Sequence, residues 1–127
     1  MNRRWVAVLV AMSAMAVQTV ATAGPSPRVQ AEIAFLLKAV GTSGCEFNRN
    51  GTWYDAKRAQ EHLRSKYEYL SQRDRIISAE DFIERVAARS SITGSPYLIR
   101  CGAASAVKSE DWLHAALVRY RLSANPG

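Results

Sequence analysis

The chain has 127 residues, 48% apolar and 22% charged, with a formal net charge of +6. That length and balance exclude a large multidomain enzyme and a highly charged disordered polymer. The charges alternate in sign, as in Arg73-Asp74-Arg75 and Glu84-Arg85, so they read as solvated faces, and no nucleic-acid partner is expected.

Asn2-Arg3-Arg4 followed by the apolar run Trp5 to Val17 and the small residues Ala21-Thr22-Ala23 reads as a secretory signal peptide over residues 1–23, cleaved after Ala23. The expected location is therefore periplasmic, with no integral membrane segment left after cleavage. What remains is one domain over residues 24–127, with a net charge of +4 once Arg3 and Arg4 are removed. In an exported chain two cysteines default to a disulfide, and Cys45 with Cys101 is the one pairing available.

Four helices are predicted. The first opens on Ser26 as cap with Pro27 at the first helical position, carries Val29, Ile33, Leu36, Leu37 and Val40 on one face, and stops at Gly41. The second is read from Thr52, with Ala56, Ala59, Leu63, Tyr67 and Leu70 recurring at threes and fours. Asn50-Gly51 also signals a two-residue hairpin that would pair Phe47 with Tyr54, and the helix start at Thr52 ranks above it. The third begins at Ser78-Ala79-Glu80-Asp81, close to a capping box, with Phe82, Ile83, Val86 and Ala87 as its stripe. Tyr97 to Cys101 reads as a short extended piece. The fourth helix starts at Ser109 and buries Trp112, Leu113, Ala116, Leu117 and Tyr120. The expected fold class is a small all-α domain of about four helices, its two irregular loops joined by Cys45–Cys101.

Catalytic patterns are sparse. Ser105-Ala106-Val107-Lys108 matches the S-x-x-K of penicillin-binding serine enzymes, but S-D-N and K-T-G are missing and the chain is far too short for that domain. Glu80-Asp81 and Glu110-Asp111 sit where helix-dipole effects already account for acids. No metal-ligand spacing or phosphate-cradling loop occurs, so no metal or cofactor is expected. His62 is a weak candidate general base, in line with Lys66 and Tyr69 on its helix and with Glu46 or Glu61 as partner. A disulfide would bring the loop residues Glu46, Arg49, Asn50 and Trp53 near Tyr97 and Arg100. Aromatic faces beside guanidinium groups suit sugars, carboxylates or peptides, so these six are the expected binding residues.

The stretches SGCEFNRNGTWYDAKRAQEHLRSKY, AEDFIERVAARSS and PYLIRC together resemble the YfeK-like family of small exported bacterial proteins, a domain of unknown function. The resemblance runs from about Val29 to Arg121. It implies a periplasmic protein with Cys45 and Cys101 paired, and carries over no catalytic role. The leading functional expectation is a non-enzymatic binding module for an envelope protein or cell-wall component. The alternative is a small cell-wall-directed hydrolase using His62.

Overall fold

The computed structural model describes residues 6–18, 24–73 and 75–125. The basic start of the expected signal peptide and its cleavage point after Ala23 lie outside the described residues. Residues 6–18 are exposed and carry no regular secondary structure.

The first helix, α1, spans Pro27–Thr42. Ser26 caps it by accepting from the Val29 N–H, and Pro27 occupies the first turn. Its apolar face is buried through Ile33, Leu36, Leu37 and Val40. The chain then forms β1 (Glu46–Arg49) and β2 (Thr52–Tyr54), an antiparallel hairpin that pairs Phe47 with Tyr54. Helix α2 follows over Ala56–Ser71, and α3 over Ala79–Phe82 continues as a π-helical turn, Ile83–Ala87. Strands β3 (Leu98–Arg100) and β4 (Val107–Lys108) lead directly into α4 (Ser109–Ala124). All strand pairs are antiparallel, in the order β2-β1-β3-β4.

The all-α expectation is therefore wrong: the described residues hold a four-stranded sheet besides the helices. The error lies at Thr52. Asn50 and Gly51 both adopt positive φ, 51° and 85°, the pair of left-handed residues that a tight hairpin turn demands. Asparagine tolerates that region and glycine has no Cβ to oppose it. Helix α2 does not need Thr52, because Asp55 caps it by accepting from the Arg58 N–H at 2.8 Å. With the cap supplied one residue before Ala56, Thr52 to Tyr54 are released to pair.

The disulfide is formed, with Cα atoms 4.4 Å apart. Cys45 and Cys101 continue the β1–β3 register one step beyond Glu46 and Arg100. Their separation matches the ~4.5 Å of a non-hydrogen-bonded antiparallel pair, so the bridge extends the ladder by one rung.

Strand alternation divides the sheet into two faces. Phe47 and Ile99 point into the core with Ile33, Leu36, Phe82, Ile83, Leu113 and Leu117, all from the helices. Glu46, Trp53 and Arg100 stand on the opposite face. Arg121 of α4 closes the helical layer, its guanidinium donating to buried Glu32 of α1 and to Glu80 of α3. Among the described residues no helix is long and apolar enough to cross a membrane.

Candidate functional site

The alternation that sends Phe47 into the core sends Arg49 to the same side, and the hairpin register places Tyr54 beside them. From α2 the helical spacing adds Arg58, His62 and Lys66, one turn apart on one face. Tyr97 enters from the start of β3. All of these but Lys66 line a cavity of about 300 Å³, and Lys66 stands behind Tyr97 through its hydroxyl. Its inner wall is apolar, from the buried residues Phe47, Ala59, Leu63 and Leu113. Its rim holds exposed Arg58 and Glu61. Ala87, the last residue of the π-helical turn, also lines it, and such turns are frequent beside functional sites.

Arg49, His62, Tyr97 and Lys66 are joined by hydrogen bonds. Arg49 Nη1 lies 2.7 Å from His62 Nδ1 and can only donate. Nδ1, the nearer ring nitrogen, is then the acceptor, and the imidazole proton is assigned to Nε2, which lies 3.4 Å from the Tyr97 hydroxyl and 3.3 Å from the same Nη1. Lys66 Nζ donates to the same hydroxyl at 3.4 Å and to the Arg89 carbonyl at 2.7 Å. On this assignment the Tyr97 hydroxyl accepts from both His62 and Lys66. Arg49 also lies over the Tyr54 ring at 4.8 Å, with Arg58 over the same ring at 5.6 Å.

This environment holds His62 neutral. Burial, then the charges of Arg49 and Lys66, lower its pKa from 6.5 to about 4. Burial and Arg49 likewise lower Lys66 to about 8, and burial raises Tyr97. Among the described residues neither Arg49 nor Lys66 forms an ion pair with a carboxylate. The cluster is a cationic pocket whose histidine has no acid to orient it.

A pH dependence follows. The unfolded chain takes up a proton at His62 near 6.5 and the folded chain only near 4. The contribution to stability is thus fully present above 6.5 and is lost as the pH falls toward 4. His62 is only partly buried, so solvent screening leaves about 1–2 kcal/mol at stake. Urea unfolding at about pH 7 and about pH 5 should show a smaller difference for His62→Gln than for the native chain. Equal differences would refute the buried neutral imidazole.

Of the residues expected to bind, Arg49 and Tyr97 meet in this cavity, joined by His62. Glu46, Trp53 and Arg100 form a separate group on the other face of the sheet. There Arg100 donates to Glu46 at 3.1 Å and lies 4.0 Å from the Trp53 ring centroid. Glu46 is thereby engaged away from His62, and Glu61 stands at the rim beside it. Asn50 lies in the turn, its side chain donating to the Ser90 hydroxyl and accepting from the Thr93 hydroxyl. It ties the hairpin to the loop before β3. Tyr69 is exposed and carries Arg73 over its ring. Sequence reasoning passed over Tyr54, Arg58 and Ser109 as site residues. The hairpin register would have located Tyr54, and the four-residue step back from His62 would have located Arg58. For Ser109 no local signal exists.

A family profile described as "Family of unknown function (DUF5329)" matches residues 27–121. The chain is also similar to the uncharacterized protein YfeK of Salmonella typhimurium (strain LT2), with 36% identity over 91 residues, covering 71% of this chain and 74% of that protein. No solved structure matches.

Proposed function

The chain belongs to the DUF5329 family of unknown function, a membership that brings no activity with it, and we propose that it is an exported, non-enzymatic binding protein whose cavity takes a small oxyanion-bearing ligand of the cell envelope. The observation that carries this reading is His62 held between a guanidinium and a phenol, with Lys66 on the same phenol. A bound carboxylate or phosphate would meet Arg49, Arg58 and the Tyr97 hydroxyl, while the apolar wall takes the rest of the molecule. Arginine's fork suits such planar or tetrahedral oxyanions better than an ammonium does. Periplasmic residence is supported by the apolar run at Trp5–Val17 and by the formed disulfide.

The hydrolase alternative is disfavoured by the same geometry. A base with a pKa of about 4 is weak at neutral pH, and the partners of His62 are donors and a phenol.

The test is an NMR titration with sodium acetate and with sodium phosphate, following the His62 ring and the Arg49 side chain. Either anion should shift both and raise the His62 pKa, because it offsets the two neighbouring cations. Arg49→Met should weaken binding by about 10- to 100-fold, the worth of a charge-assisted hydrogen bond. If neither anion perturbs these resonances, or if Arg49→Met binds as well as the native chain, the reading fails. Preference between acetate and phosphate separates the two oxyanion classes.

A further inference from the structure

Ser109 begins α4, and its side chain is 2% exposed. Its backbone N–H donates to the Tyr97 carbonyl at 2.9 Å, which pins it beside the site. Its hydroxyl, however, finds no hydrogen-bond partner among the described residues. That hydroxyl is not used to cap the helix, since the cap position is Lys108. Ser109 also lines the cavity, among Phe47, Leu113 and Tyr97. A buried hydroxyl without a partner is costly, and natural structures leave one mainly where something absent from the protein chain completes it.

From this we infer that Ser109 is a ligand-binding residue at the inner end of the cavity, and that the ligand is a short carboxylate carrying a neutral hydrogen-bonding group, such as an acylamino acid. This rests on the oxyanion reading of the same cavity and adds its second anchor. The carboxylate is held at Arg49 and Tyr97, and the uncharged polar group reaches the apolar inner wall, where Ser109 is the polar atom that can meet it. Such a wall accepts a purely apolar tail as well, but the hydroxyl is then left unsatisfied. The site therefore discriminates against ligands lacking the polar group.

Two measurements test it. The first needs no ligand. Ser109→Ala removes an unpaired buried hydroxyl, so Tm should stay unchanged or rise by a few degrees. A fall in Tm would mean that the hydroxyl serves the fold or holds a structural water, and would overturn the inference. The second compares N-acetylglycine and N-acetyl-β-alanine, which place their carbonyl at two reaches, with pentanoate, an apolar carboxylate of similar length. At least one acetylated acid should bind about tenfold more tightly than pentanoate, and Ser109→Ala should abolish that preference while pentanoate still binds. If all three carboxylates bind equally to the native chain, Ser109 is not an anchor, although the oxyanion reading stands. If none perturbs Arg49 and His62, this inference falls, and the oxyanion reading falls with it unless phosphate perturbs them.

Discussion

Replacing Cys45 and Cys101 together by alanine is expected to lower the free energy of unfolding by about 4 kcal/mol. The bridge joins positions 56 apart in sequence, and a loop of that size restricts the unfolded chain strongly in the chain-entropy picture. The folded state should accept the bond without backbone displacement, because the two Cα atoms already stand at the spacing of a cross-strand pair. The consequence reaches the site. Arg49 and Tyr97 face one cavity because β1 and β3 keep the register that pairs Phe47 with Ile99. A slip of one residue would turn Arg49 to the opposite face. Urea unfolding of the native and double-alanine chains measures the loss. A change below about 1 kcal/mol would show that the core alone sets the register and that the unfolded chain is little affected.

The second large effect is expected at Arg121. Its guanidinium donates through Nε to Glu32 and through Nη1 to Glu80, tying α4 to α1 and α3. Glu80 is half exposed, and hydrogen bonding from Arg121 holds its carboxyl below the usual range. Glu32 differs: its side chain is 3% exposed. Arg121→Met would leave that carboxylate buried and uncompensated, at a cost of about 3 kcal/mol. Adding Glu32→Leu should restore most of the loss, since apolar residues of similar volume commonly replace a buried pair without penalty. Thermal or urea unfolding of the two single variants and the double variant forms the cycle. An additive result would mean that Glu32 and Arg121 do not depend on each other.

Local chemistry marks several elements well. Ser26 and Pro27 announce α1, and Ser78 announces α3 through a hydroxyl that accepts from the Asp81 N–H. The apolar stripes of α1, α2 and α4 fall on buried or partly buried positions, because a helix face is a local property of spacing. Thr52 to Tyr54 shows where such reasoning stops. Threonine followed by Asp55 and alanines satisfies a helix start, and Asn-Gly followed by aromatics satisfies a hairpin. Three-residue strands gain little by themselves, so the choice falls to β3, more than forty residues later, which completes the ladder on β1.

The same division runs through the site. The sequence by itself determined the helical faces, the caps Ser26 and Ser78, the pairing of Cys45 with Cys101 and the column of His62 with Lys66, since each rests on spacing within one segment or on a single possible partner. It also made Arg49, Tyr97 and Arg100 candidates without dividing them. Only the tertiary structure placed Arg49 and Tyr97 in one cavity and sent Arg100 with Trp53 to the other face, because strand register decides which side a residue occupies. Only there is the proton affinity of His62 lowered and the Ser109 hydroxyl left without a partner among the described residues. Burial and neighbouring charge are properties of what packs around a residue, and those neighbours come from β1, α2, β3 and α4 at once.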